Sequence, residues 1–279
     1  MRYFLGPFLA FFGMVSLAAA EDTSGASPSP SPSPEASPEA ANAATKPATW
    51  FSVNVDGPYI AMTFDDGPSP ETTPRLLDIL KQRNIKATFF MIGQNAERNP
   101  AIVKRILAEG HEIGNHSWTH PQLSKLSDDR VTEEINKTQN AIKDASGYTP
   151  VLLRPPYGAI TTRQKEWIEK QFGLSVIIWS VDPFDWKRPG ASVIEQRILA
   201  GARPGAIVLS HDIHKQTVDA MPATLDALAA KGFKFVTVSQ LIAMNKPKSS
   251  PTPSPQSRPS GSPHPSPTKK HPKLAASGN

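Results

Sequence analysis

Tyr59-Ile60-Ala61-Met62-Thr63-Phe64-Asp65-Asp66-Gly67-Pro68 is an apolar run that stops at two carboxylates and a Gly-Pro turn. Aromatic, β-branched and aliphatic residues from Tyr59 to Phe64 read as a buried strand, which Gly67-Pro68 cannot continue. Asp65 and Asp66 therefore fall at a strand's C-terminal end. Side chains alternate along an extended segment, so the two carboxylates are expected to do different work, one holding a cation and one moving a proton. Taken alone, the stretch is equally a solvated Asp-Asp-Gly turn, and the residues around it decide.

Outward from this strand, short apolar runs alternate with amphipathic segments. Further strands are expected at Ala87–Ile92, Glu112–Asn115, Val151–Arg154, Ser175–Ser180, Ala206–Ser210 and Phe235–Val238. Pro70 to Pro74 opens a helix with Leu76, Leu77, Ile79 and Leu80 inward. Asn99-Pro100 reads as an N-cap and N1 proline before Ile102, Val103, Ile106 and Leu107, with Gly110 as the stop. Helices are also expected from Ser127 to Ala145, at Thr161–Phe172, Ser192–Ala200 and Met221–Lys231, and at Gln240–Met244. About seven βα units in just under 200 residues predict an α/β fold, a distorted (β/α)7-type barrel of parallel strands, with an open doubly wound sheet as the alternative. Both architectures bind ligands at the carboxyl ends of their strands.

The residues after those strands share a character. Asp65 and Asp66 follow the first, and His116-Ser117-Trp118-Thr119-His120 the third. Arg154-Pro155-Pro156-Tyr157-Gly158 follows the fourth, Asp182-Pro183-Phe184-Asp185-Trp186 the fifth and His211 the sixth. Five strands thus deliver ionisable groups to one rim, which favours a site over a solvated turn. His116 and His120 are four apart, so a helical turn after the strand would let both imidazoles share a cation with Asp66. Two His and one carboxylate leave positions open for water and substrate. Zinc is the default ion, and nitrogen and oxygen donors also suit cobalt, nickel or manganese. Asp182 reads as a cap on the turn before Pro183 rather than as a partner of His211. Asp212 and His214 read as cleft lining or loop structure rather than as a second metal pair.

Composition bounds the rest. The 279 residues include 29 prolines and no cysteine, so disulfides and thiolate ligands are excluded. Met1-Arg2, an apolar run to Leu17 and Ala18-Ala19-Ala20 have the pattern of a secretory signal, residues 1–20, cleaved after Ala20. No later stretch is long and apolar enough to span a bilayer, so a secreted or periplasmic protein is expected. Residues 21–48 and 246–279 are Pro/Ser-rich and hold too little apolar surface to offset the entropy of ordering; both are expected to be disordered around a folded domain at 49–245. The net charge of +5 resides mainly in the C-terminal tail, where six Lys or Arg meet no acid. The core is therefore near neutral, and no nucleic-acid partner is expected. The basic tail suits contact with an anionic envelope polymer or lipid, or plain solubilisation. A monomer is expected.

The ordered set Thr63-Phe64-Asp65-Asp66-Gly67-Pro68, His116 to His120, Arg154 to Gly158, Asp182 to Trp186 and Leu209-Ser210-His211 resembles the five motifs of the polysaccharide deacetylases of carbohydrate esterase family 4, a group that includes nodulation-type chitooligosaccharide and peptidoglycan deacetylases. The resemblance spans Tyr59 to Leu241 without a break. It implies Asp66, His116 and His120 as metal ligands, Asp65 as general base and Arg154 as the charged partner of Asp65. It implies further that the Tyr157 backbone N–H holds the oxyanion and that His211, oriented by Asp185, protonates the departing amine. Trp186 and Leu209 would wall a small pocket for the acetyl methyl. The implied reaction removes N-acetyl groups from N-acetylglucosamine-type glycans, peptidoglycan or chitin-like, with release of acetate. An O-acetyl esterase of the acetylxylan type and a non-catalytic glycan-binding module are the competing expectations.

Overall fold

In the computed structural model, residues 49–246 are described. The expected signal, the N-terminal linker and all of the basic tail beyond Lys246 lie outside them. The described residues form eight strands and eight α-helices: β1 (Thr49–Trp50), β2 (Tyr59–Asp65), α1 (Thr73–Gln82), β3 (Thr88–Met91), α2 (Gly93–Arg98), α3 (Pro100–Ala108), β4 (Glu112–Asn115) and α4 (Asp128–Ser146) come first. They are followed by β5 (Leu152–Leu153), α5 (Thr162–Phe172), β6 (Ser175–Ile177), α6 (Ala191–Gly201), β7 (Ile207–Val208), α7 (Lys215–Ala230), β8 (Lys234–Phe235) and α8 (Val238–Ala243). Six of the seven strands expected from the sequence form, several shorter than expected because the pairing ends where the rim loops begin; of the seventh, expected at Phe235–Val238, only Phe235 is in a strand, β8, and Val238 opens α8 because Thr237 caps that helix.

The strands pair in parallel in the order β6-β5-β4-β3-β2-β7. Val181, just past β6, bridges to Val208 of β7, and Leu209 N–H donates to Val181 O at 2.9 Å, which closes the barrel. β1 and β8 pair with β6 and with the start of β2. Period-two alternation along β2 divides the core. Ile60, Met62 and Phe64 face the surrounding helices, where they meet Leu76, Leu80 and Leu225. Ala61 faces the interior with Phe90, Ile177 and Ile207, and α8 covers that interior with Val238, Leu241 and Ile242. By the same alternation Thr63 and Asp65 belong to the interior column, which runs up to the rim.

Three expectations about helices need correction. Asn99 stands at the N-cap of α3 with Pro100 opening the helix, as expected, but its side chain makes no capping bond; its amide instead donates to Pro68 O at 3.3 Å and to Asn95 O at 2.9 Å. α7 begins at Lys215, six residues before the expected start, and carries Pro222 inside it. Burial of Val218, Met221 and Leu225 on one face outweighs the lost backbone hydrogen bond. α2 was not foreseen. Elsewhere local signals hold: Thr161 opens α5 with a capping box, Ser127 caps α4, and Gly147 ends α4 in the left-handed region.

Candidate active site

The interior column ends in a buried ion pair. Arg154, fully buried, donates from Nη1 to Asp65 Oδ1 at 2.7 Å and to Thr63 Oγ1 at 2.6 Å. Its Nε and Nη2 donate to Ile177 O and Ile178 O at 3.4 and 3.2 Å, and its Cζ lies 4.1 Å from the centroid of the Phe90 ring. A buried guanidinium is tolerated only when its donors are used and a carboxylate answers its charge, and both conditions are met here. Gly114 makes room for the arrangement, because a Cβ there would overlap the Phe90 ring.

Asp65 and Asp66 do not point to opposite sides as simple strand alternation predicts. Asp66 adopts φ 75°, in the left-handed region, and that turn brings both carboxylates to one centre. His116 Nε2 lies 3.7 Å from Asp65 Oδ2 and 3.4 Å from Asp66 Oδ1, and His120 Nε2 lies 3.3 Å from Asp66 Oδ1. Nor does the histidine loop take a helical turn. Ser117 and His120 adopt φ 63° and 61°, and these two left-handed residues bring the imidazoles together. Of the seven non-glycine residues with positive φ among the described residues, six (Asp66, Ser117, His120, Tyr157, Phe184 and Arg188) lie in rim loops. Each costs of order 1 kcal/mol, so the surrounding contacts must enforce them.

One enforcing residue was not visible in the sequence. Glu134 of α4, buried, accepts from Trp118 N–H at 2.7 Å, Thr119 N–H at 2.8 Å and Thr119 Oγ1 at 2.8 Å. It thereby fixes the loop between the two imidazoles. α2 fixes the same loop and the aspartate turn together: Gly93 N–H donates to Ser117 O at 2.9 Å, and Asn95 Nδ2 donates to Asp66 O at 2.7 Å.

One atom each from Asp66, His116 and His120 lies within 4.8 Å of the other two. Donors placed ~2.0–2.2 Å from a tetrahedral ion sit roughly 3.3–3.5 Å from one another, which matches the 3.3 and 3.4 Å separations. Asp66 Oδ1 is buried yet has no hydrogen-bond partner, an orphan that a cation would satisfy. Protonation also fits. Burial raises the Asp66 carboxyl, but His116, then His211 and His120, outweigh it and hold the group at about 2. Burial, aided by His116, keeps His120 below the usual imidazole range. His116 Nδ1–H donates to Arg154 O at 2.7 Å, which leaves Nε2 as the donor to a cation. The site therefore fits a divalent metal.

Across the rim, Asp185 is buried and accepts from His211 Nδ1 at 2.8 Å, from His211 N–H at 2.7 Å and from Thr217 Oγ1 at 2.8 Å. Burial opposes the charged imidazole, but Asp185, with Asp65 and Asp66 beyond it, lifts His211 to about 9. The pairing with Asp185 thus favours the charged form of the imidazole.

The chain is similar to known proteins. Residues 52–177 match the polysaccharide deacetylase family. A peptidoglycan-N-acetylglucosamine deacetylase of Bacillus cereus is 42% identical over 211 residues, covering 72% of this chain and 76% of that protein. The chain belongs to the polysaccharide deacetylase family. A solved structure of the Bc1960 peptidoglycan N-acetylglucosamine deacetylase superposes with a TM-score of 0.67 at 40% identity, covering 71% of this chain and 95% of that one. The deacetylase PgdA of Listeria monocytogenes is 50% identical over 182 residues, 65% of this chain but 38% of its own length, so this chain matches well under half of that relative.

Other sequence-derived residues of this polysaccharide deacetylase domain lie around the same rim. Tyr157 adopts φ 61°, and the bonds closing its turn are donated by Gly158 and Ala159. Its hydroxyl lies 3.2 Å from His120 Nδ1. Trp186 is 50% exposed, its ring 6.2 Å from that of Phe184, whereas Leu209 is buried. Asp182 accepts from Phe184 N–H at 2.7 Å, the turn cap expected of it. Asp212 is fully buried beneath Gly67, where a Cβ would collide with it, and accepts from the Thr73 hydroxyl. Burial lifts it to about 7, against the Thr73 bond and with help from Asp66 and Asp65. It belongs to the support of the aspartate turn and forms no metal pair with His214.

Proposed function

We propose that the chain is a zinc-dependent hydrolase that removes N-acetyl groups from N-acetylglucosamine-type glycans, acting as a monomer outside the cytoplasm. The observation that carries this reading is the Asp66-His116-His120 cluster, set between an arginine-bound aspartate and a histidine paired with Asp185. The peptidoglycan deacetylases among its relatives and the signal-like N-terminus support the substrate class and the location.

A divalent cation held by Asp66, His116 and His120 would polarise the acetyl carbonyl and make the attacking water more acidic. Asp65, oriented by Arg154, takes the water proton as the water oxygen bonds to the carbonyl carbon. The Tyr157 N–H donates to the carbonyl oxygen as negative charge develops there; such a donor is worth roughly 3 kcal/mol of barrier. His211 then gives its Nε2 proton to the amine nitrogen as the C–N bond breaks, and acetate and a free amino sugar leave. Trp186 and Leu209 flank the acetyl methyl.

The His211-Asp185 pair favours an amide over an ester substrate. An amine is a poor leaving group until protonated, and Asp185, bonded to His211 Nδ1 at 2.8 Å, favours the charged imidazole that carries that proton. The test is acetate release with added zinc over chitooligosaccharides, peptidoglycan and acetylated xylan. Release from the first two, abolished in Asp65→Asn, supports the reading; release from xylan alone, or glycan binding without turnover, overturns it.

A further inference from the structure

Each imidazole beside Asp66 gives one nitrogen to the cluster and turns the other outward. For His116 the outward atom is Nδ1, 2.7 Å from the buried carbonyl of Arg154. For His120 it is again Nδ1, and the group it meets is the Tyr157 hydroxyl at 3.2 Å. The loop after β5 thus supplies the outer partner of both histidines, from residues three apart in sequence.

That loop is held stiffly. Arg154 N–H donates to Asn115 O at 2.9 Å, which anchors its start to the end of β4 beside His116. Pro155 and Pro156 restrict the next two φ angles. Gly158 N–H and Ala159 N–H then close the turn on Pro155 O at 2.9 Å and Pro156 O at 3.0 Å. A Cβ at Gly158 would stand 3.2 Å from the Trp179 ring. The turn holds Tyr157 at φ 61°, a conformation that is rare for a bulky residue and costs of order 1 kcal/mol. Burial does not offset that cost, because Tyr157 is 68% exposed and belongs to none of the buried apolar clusters among the described residues. What the conformation secures is contact with His120. The two rings meet edge to face at 67°, with centroids 4.7 Å apart, and His120 stands 4.9 Å from His116 in turn.

The hydroxyl contact decides which ring nitrogen of His120 is bare. A neutral imidazole carries one proton, and the nitrogen that donates it to an oxygen leaves the other with a lone pair. With Nδ1–H donating to the Tyr157 hydroxyl oxygen, Nε2 faces the cluster as a bare nitrogen, 3.3 Å from Asp66 Oδ1. Without that acceptor, the Asp66 carboxylate draws the proton to Nε2, and the ring turns a protonated nitrogen toward the cation.

We propose that the Tyr157 hydroxyl is a positioning group that holds His120 in the Nδ1–H tautomer and so presents Nε2 to the cation, a role separate from that of the Tyr157 backbone N–H. This rests on the metal-dependent reading of the site.

The test is Tyr157→Phe, which keeps the ring and the backbone and removes only the hydroxyl. In metal-free protein at pH 8, where burial keeps His120 neutral, long-range proton–nitrogen NMR spectra of the imidazoles show which nitrogen carries the proton. Wild type is expected to show Nδ1–H at His120 and the variant a shift toward Nε2–H. His116 should not move, because its partner is a backbone carbonyl. Chelator competition is expected to show zinc held about tenfold more weakly by the variant. A proton that stays on Nδ1 in Tyr157→Phe, or a zinc affinity that does not change, overturns the role. Acetate release from chitooligosaccharide and peptidoglycan, measured alongside, separates the two readings. Wild-type turnover with both readouts unmoved by the substitution removes the Tyr157 role alone. Zinc binding that depends on the hydroxyl, without acetate release from either glycan, removes the deacetylase and keeps the role.

Discussion

Arg154 Nη1 lies 2.7 Å from Asp65 Oδ1 inside the barrel, and neither residue reaches solvent appreciably. The pair joins the core to the rim, because the guanidinium that orients Asp65, the proposed base, also fills the interior beside Phe90. Arg154→Ala leaves a buried carboxylate and several acceptors unpaired, with an expected loss of about 3–5 kcal/mol of stability. Arg154→Lys keeps the charge but loses the planar set of donors, so it should fold better than the alanine variant while acetate release stays severely reduced. Urea denaturation beside acetate assays checks both, and a lysine variant with wild-type turnover would refute the positioning role.

Glu134 touches no predicted ligand atom, yet three hydrogen bonds tie it to the loop between His116 and His120. Glu134→Ala is expected to weaken zinc affinity about 10- to 100-fold. Excess zinc should restore part of the activity, which a simple folding defect would not allow. Chelator competition measures the affinity; unchanged binding would assign Glu134 to stability alone.

The pH dependence should report the Asp185-His211 pair. A proton donor works below its pKa, so the basic limb of kcat reflects His211, raised to about 9 in the metal-free protein. The positive charge of bound zinc lowers that position in wild type and variant alike. Asp185→Asn removes the hydrogen bond and charge that oppose burial, so the basic limb should move toward lower pH by a unit or more. At pH 8 the variant should be far weaker relative to wild type than at pH 6. A basic limb that stays in place would dissociate His211 from the rate.

Gly114→Ala places a methyl group against the Phe90 ring, on which the Arg154 guanidinium rests. Overpacking of this kind costs about 1–3 kcal/mol. Thermal denaturation should show the loss, and an unchanged melting temperature would mean that the ring moves freely.

The barrel could be read from the sequence because its strands are β-branched and aromatic runs ended by polar rim motifs, as in Tyr59 to Asp66. α2 could not. Its residues are mostly polar, with Gly93 and Ala96 alone buried, and its first N–H groups bond Ser117 O and Trp118 O across the fold. β1, two residues long, exists only through its pairing with β6. The candidate metal-ligand set followed from residue types at strand ends, whereas its geometry depended on left-handed backbone at Asp66, Ser117 and His120, where glycine would be expected. Glu134 is one acid among several on an amphipathic helix and gains its meaning only from what packs against it.

The most direct test titrates zinc into chelator-dialysed protein while acetate release from a chitooligosaccharide is monitored. Activity absent at the start, rising to a plateau at one zinc per chain and lost together with zinc binding in His120→Ala, is the predicted result. Full turnover by demonstrably metal-free protein, or unaltered zinc binding in that variant, would contradict it.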